Sequence, residues 1–385
     1  MARTSADVAT GRLRVAAVVR GAVGSNPKFG TKYSGLLAAL ADEGHMIEPY
    51  DATMPPLMRA VDAVLAFQPN LGRWRRSLRN NAFAFRRRSH LISRRLRAAR
   101  QRTDVVLQIG GVFDARWDER QAPSVIYTDY TARMAAERPL GRRTPRDVER
   151  WVQLERRAYE RAHTLCVRSK MVRDSLVMQY GTPAGRVHVV GGGANVDGLP
   201  SCRPSVGHNP PTALFIGRDF MRKGGDLVLE AFAVARRTIP NARLLFATRR
   251  PIPGRFPTAG VVSVPPAWDR ERMMRLYAQA DFLVLPARLE TWGDVLLESM
   301  AHGLPCIGVR GEPMQEIIRH RIDGALIPAG DVARLAVWMR RLLGDVERCR
   351  DWGASAQRRV ARQFLWRHVA QRISPLLEAA AESAR

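Results

Sequence analysis

The stretch Pro286–Gly308, PARLETWGDVLLESMAHGLPCIG, follows the apolar run Phe282-Leu283-Val284-Leu285. A short apolar run closed by a proline reads as a buried strand. Arg288–Gly293 then reads as a loop with a glycine hinge. A helical pattern starts at Asp294, with Val295, Leu296 and Met300 on one apolar stripe, and Gly303 and Pro305 stop it. Cys306-Ile307-Gly308-Val309 resumes as a strand. Strand, loop, helix, strand is the repeating unit of a parallel α/β sheet, so the fold class is α/β. The polar content is unusual for a packing unit, because Glu290 stands at the carboxyl end of a strand and Glu298 lies eight residues on.

Ligands of open α/β sheets bind at the carboxyl ends of the strands, and a helix N-terminus there offers free N–H groups to an anion. The backbone at Trp292, Gly293 and Asp294 would therefore sit beside a phosphate-bearing ligand. A carboxylate repels phosphate but accepts hydrogen bonds from hydroxyls, so the two glutamates suit the sugar parts of such a ligand. A capping glutamate and a solvated helix glutamate would leave the same spacing.

The words around the glutamates narrow the choice. P-x-R-x-E-T-x-G, the E-x7-E spacing and the turn A-H-G-L-P-x-I-G resemble the nucleotide-sugar site of the retaining GT-B glycosyltransferases of family 4. The resemblance runs over most of residues 210–372 and more loosely over the N-terminal half. It implies two Rossmann-like domains whose parallel sheets face one another across a cleft. Their expected bounds are 1–200 for the acceptor side and 201–365 for the nucleotide-sugar side, with 366–385 as a helix crossing back. It also implies that Glu290 holds hydroxyls of the donor sugar and Glu298 those of the nucleotide ribose. Ala287 and Trp292 stand where the family usually has Ser and Phe.

Upstream, Thr212–Ile216 reads as a strand and Gly217–Gly225, GRDFMRKGG, as the loop after it. The loop resembles the family's diphosphate clamp. An Arg fork and a Lys point charge, here Arg218 and Lys223, can stabilise the charge that moves onto a leaving nucleotide, without a metal. No prosthetic group is expected, and the implied donor is a UDP- or GDP-sugar. In the first half, Leu13–Val19 reads as a strand followed by a glycine loop; the resemblance implies that this loop lies in the cleft near the donor phosphates and the acceptor, with Gly24, Lys28 and Lys32 as candidate cleft residues, and solvated lysines would read the same. Many family members carry a His after the strand Ser124–Thr128, and Asp129 takes that place here, leaving a carboxylate near the reacting carbon. His45 reads as structural. Phe364-Leu365-Trp366 resembles a family motif in which the aromatic packs the returning helix.

At 385 residues and 46% hydrophobic content the chain suits two globular domains. No uncharged apolar window is long enough to span a bilayer. The N-terminal apolar run is interrupted by Arg12, Arg14 and Arg20 and reads as a first strand rather than a signal peptide. Four cysteines without metal-ligand spacing fit a reducing, cytoplasmic setting. The net charge of +26 favours polyanions or an anionic membrane surface. Residues 73–102 concentrate it, with twelve arginines, no acid, and interleaved Phe83, Phe85 and Leu91. Three readings stand: a helix lying on an anionic membrane or binding an anionic acceptor, a solvated face over a packed stripe, or, last, a nucleic-acid surface.

The function implied is transfer of a sugar from a nucleoside-diphosphate sugar to a glycan or lipid-linked acceptor of an envelope polysaccharide. A nucleotide-sugar epimerase of the same fold and a non-catalytic polyanion-binding protein are the rivals. Epimer formation or absence of nucleotide binding would distinguish them.

Overall fold

The computed structural model describes residues 12–21, 32–67, 69, 74, 81–99, 102–118, 122–137, 145–196, 198–199, 207–249, 251–264, 270–311 and 313–384. The chain forms two compact units, one of them Gly192–Leu365 and the other the remainder, including Trp366–Arg385.

The first unit is built on a six-stranded sheet: β1 Arg14–Val19, β2 Met46–Asp51, β3 Val105–Ile109, β4 Ser124–Thr128, β5 Thr164–Val167 and β6 Val187–Val189, in the order β2-β1-β3-β4-β5-β6. All pairings are parallel, with Val15 opposite Ile47 on one side and Val105 on the other. Strands covered on both faces need near-continuous apolar runs, and VVLQI of β3 and SVIYT of β4 are buried throughout. The second unit repeats the plan with β7 Thr212–Gly217, β8 Arg243–Thr248, β9 Val261–Val264, β10 Phe282–Val284, β11 Cys306–Val309 and β12 Gly324–Ile327, ordered β12-β11-β10-β7-β8-β9 and again parallel. The order reverses at β7, so β7 and β10, distant in sequence, lie side by side. Their carboxyl ends carry the two loops singled out in the sequence.

The helix Trp366–Glu382 returns to the first unit, packing Trp366, Val369, Ile373 and Leu377 into its core. Gly35 makes room for it, since a Cβ there would lie 2.3 Å from the Trp366 ring. His45 meets Ser374 on the same helix, Nε2 to Oγ 2.9 Å, and burial holds its imidazole below the ordinary value against the opposing pull of Glu378 and Glu43.

The basic stretch is only partly described. Its helix runs Ala82–Arg97, capped by Asn81 Oδ1 accepting from the Ala84 N–H at 2.8 Å. Phe85, Ile92 and Leu96 face the core and Leu91 is half-buried. Among these side chains only Phe83 offers a largely exposed apolar surface, so the insertion expected of Phe85 and Leu91 does not follow from this packing. Several arginines are tied inward: buried Arg88 donates to the Val112 carbonyl, Arg95 to the Asp51 carbonyl, and Arg87 pairs with Asp62 at 3.1 Å. Among the described residues, no helix is long and apolar enough to cross a membrane.

Candidate donor site on the second sheet

β7 delivers the chain into the loop 218–224, and the helix Gly225–Arg236 leaves it. Arg218 is the first residue past the strand and is exposed. Gly224 turns the chain with φ +75°, and a Cβ there would lie 2.2 Å from the Pro286 carbonyl oxygen. Only glycine permits both the left-handed turn and that approach, so the loop is pressed against the end of the neighbouring strand.

The two loops are tied along their length. The Arg288 N–H donates to the Arg222 carbonyl at 2.9 Å, and Arg222 Nη1 donates to the Leu289 carbonyl at 3.0 Å. Arg288 also reaches the Met221 carbonyl and grips Asp226 with two bonds of 2.7 Å each. That fork holds the Arg288 guanidinium above its ordinary value, the hydrogen bonds to Asp226 outweighing its burial. Two parallel N–H···O bonds fix orientation as well as distance. The result is a rigid ledge at the carboxyl edge of the sheet.

Lys223 and Glu290 meet on this ledge, Nζ to Oε2, with side chains 14% and 7% exposed. The other oxygen of Glu290 accepts from the Thr291 N–H at 3.0 Å. A carboxylate held at both oxygens is oriented before any ligand arrives, and the lysine opposite it is held by the same bond. The charge of Lys223 is half-buried and paired. Lysine and carboxylate together present one cationic donor and one hydroxyl acceptor at neighbouring points, which suits the junction of a phosphate with a sugar.

The loop enters the helix Asp294–Ala301 through Gly293, φ +111°. Asp294 occupies the first turn, half-buried. Glu298 lies one turn further on and accepts from the Tyr277 hydroxyl at 2.9 Å. Burial and the adjacent carboxylate push the Tyr277 phenol well above its ordinary value, so it remains a donor. Tyr277 stacks on His302 at 4.8 Å, and His302 Nδ1 donates to the Glu298 carbonyl at 2.7 Å. The Glu298 carboxylate is thus steadied by Tyr277, whose ring is in turn backed by His302. The Trp292 side chain is 2% exposed and packs edge-on to Phe364 at 6.2 Å. Any ligand contact at this position falls to its backbone.

On the first unit, Asp129 follows β4 and pairs with Lys32 at 2.9 Å. Burial pushes its carboxyl up, but the charges of Lys32 and Arg168 outweigh that and hold it below the usual range. Arg168, fully buried after β5, lies over the rings of Tyr33, Tyr127 and Trp366 at 5.2–5.6 Å. Gly24 and Lys28 lie outside the described residues. Sequence reading missed Arg288, Asp226 and Tyr277. The R-x-E spacing and the Asp directly after G-G were visible, but their pairing needs β10 beside β7.

The model for "Glycosyl transferases group 1" matches residues 203–359. A D-inositol 3-phosphate glycosyltransferase of Thermobispora bispora is 28% identical over 237 residues, covering 54% of this chain and 54% of that protein, so the match spans about half of the relative's length. Sucrose-phosphate synthase from Thermosynechococcus elongatus shares the fold at a TM-score of 0.71 and 18% identity, over 97% of this chain and 100% of that one. Anabaena HepE, solved with UDP-glucose, does so at 0.64 and 14%, over 95% and 100%. The fold of the chain is the GT-B glycosyltransferase fold, two parallel-sheet Rossmann-like units.

Proposed function

We propose that this chain transfers a sugar from a nucleoside-diphosphate sugar, a UDP-sugar in the first instance, to an acceptor hydroxyl with retention at the anomeric carbon. The observation that carries the reading is the oriented Lys223–Glu290 pair on the ledge between β7 and β10, with Arg218 at the start of the same loop as Lys223. The family match over 203–359 and the UDP-glucose bound by HepE support it.

In this reading Arg218 and Lys223 take the diphosphate. As the bond from the anomeric carbon to the phosphate oxygen breaks, negative charge grows on the phosphate, where two cations already in place stabilise it with little reorganisation. Glu290 accepts from hydroxyls of the sugar, and Glu298, at the second turn of its helix, from those of the ribose. The helix N-terminus at Gly293 and Asp294 faces the phosphates. The acceptor oxygen bonds to the same face of the carbon that the phosphate leaves, and the acceptor proton passes to the departing phosphate oxygen. No protein nucleophile is required. Asp129, held ionised beside Lys32 and Arg168, is assigned to the sugar and acceptor side. The acceptor class we favour is a lipid-linked glycan or other envelope precursor presented at an anionic membrane surface.

A thermal-shift panel of UDP, GDP and ADP with their glucose conjugates tests the donor. A nucleotide at 100 times its Kd raises native stability by about 2.7 kcal/mol. Glu298→Gln should weaken free UDP, whereas Glu290→Gln should spare free UDP and impair sugar transfer. Equal loss of UDP affinity in both variants overturns the division of roles, and no response to any nucleotide overturns the function.

A further inference from the structure

The helix Pro56–Leu65 in the first unit carries its faces the wrong way round for a helix in water. Leu57, Val61, Val64 and Leu65 recur at i, i+4, i+7 and i+8, which places them on one face. That face is outward: Leu57 is 78% and Val64 73% exposed, and Phe67, just beyond the helix, 65%. The one acid of the helix, Asp62, is fully buried and paired inward with Arg87 of the helix Ala82–Arg97. A row of this size left in water calls for a partner.

The charge around the row indicates which partner. Exposed Arg59 lies on the same helix, and the adjoining helix Ala82–Arg97 contains no acid, exposes Arg86 and Arg94, and begins with exposed Phe83. Exposed apolar side chains along one face, with exposed cations on the opposite side of the helix and on the adjoining helix, and with the helix's own acid turned inward, match an anionic lipid surface: acyl chains take the apolar row and headgroup phosphates take the arginines. We propose that Pro56–Phe67 is the element by which this chain lies on an anionic bilayer. The basic helix beside it supplies attraction, and the apolar row supplies insertion. This deepens the membrane part of the proposed function, and stands apart from the donor chemistry.

The test is co-sedimentation of the full chain with phosphatidylcholine vesicles, with and without phosphatidylglycerol. Wild type should pellet with the anionic vesicles, less so at high salt, and stay in solution with the neutral ones. Leu57→Gln/Val61→Gln/Val64→Gln alters only exposed positions and uses a good helix former, so the fold should persist. It should lower vesicle affinity about tenfold or more, because the inserted apolar area is lost. Arg86→Gln/Arg94→Gln should weaken binding to anionic vesicles as well. UDP-induced thermal shifts should be the same in wild type and both variants, so a failed donor assay and a failed membrane assay are told apart. Wild type remaining in solution with anionic vesicles, or the triple variant binding as tightly as wild type, overturns the proposal. So does a wild-type dimer that the triple variant dissociates while neither protein binds vesicles, which would assign the row to a second copy.

Discussion

The Lys223–Glu290 pair allows a test in which stability and activity must move together. Removing one partner of a fully buried ion pair costs about 3–5 kcal/mol, because the other charge is stranded. Here the side chains are 14% and 7% exposed, and Glu290 keeps the Thr291 N–H at 3.0 Å. Lys223→Met should therefore cost about 2–3 kcal/mol. Glu290→Gln leaves the better-exposed ammonium with a neutral acceptor and should cost less, about 1–2 kcal/mol. In the double variant neither charge of the pair remains to be stranded, so its loss should fall short of the sum of the single losses by about 1–2 kcal/mol. The assay is urea unfolding of the four proteins, with a thermal scan as a check at roughly 2–4 °C per kcal/mol. Turnover of Lys223→Met should drop by about 10²–10³. A lysine standing free in water would give a loss within about 0.5 kcal/mol. That result, or strict additivity of the two single variants, refutes the reasoning.

Three further outcomes are expected. Arg218→Ala should lower turnover by about 10²–10³ while leaving the urea midpoint near wild type, because Arg218 is exposed; a midpoint loss as large as that of Lys223→Met would contradict its placement. Gly35→Ala, ordinarily stabilising by about 0.5–1 kcal/mol inside a helix, should destabilise, since the new Cβ would lie 2.3 Å from the Trp366 ring; a raised thermal midpoint would refute the packing of the returning helix. The third concerns pH. Asp129 is depressed in the folded state, so its contribution is present above the unfolded carboxylate value of about 3.9 and is lost as pH falls through the lower folded value. Lys32→Met should therefore be less stable than wild type at neutral pH, with the gap closing on acidification below about pH 4. A gap independent of pH would show that Lys32 does not act through Asp129.

Glu290, Glu298, Arg218 and Lys223 were legible as a set because each sits just past an apolar run or on the helix that follows, and such positions define the carboxyl edge of a parallel sheet. Strand positions were legible for the same reason: runs such as VVLQI and SVIYT suit a layer covered on both faces. Trp292 was read through its backbone N–H at a helix N-terminus, and the sequence did not say that its side chain turns from the loop into the core. The arginines of the helix Ala82–Arg97 looked alike in sequence, whereas Arg88 and Arg95 are held by backbone carbonyls and Arg86 and Arg94 are exposed. One-dimensional spacing gives a residue's place along an element but not the environment on each side of it.

By itself, the sequence determined the period and punctuation of each element, since apolar runs, glycine turns and proline stops act locally. It thereby determined the α/β class and the residues that strand ends would carry. Only the tertiary structure decided that β10 lies beside β7, and with it the Arg288–Asp226 fork, the seat of Gly224 on Pro286 and the Lys223–Glu290 pair. Those contacts join positions more than sixty residues apart. They depend on strand order, which is settled by how whole layers bury their faces. The outward apolar face of Pro56–Leu65 is of the same kind: its periodicity is written in the chain, and its direction follows from Asp62 finding Arg87 on a helix still to come.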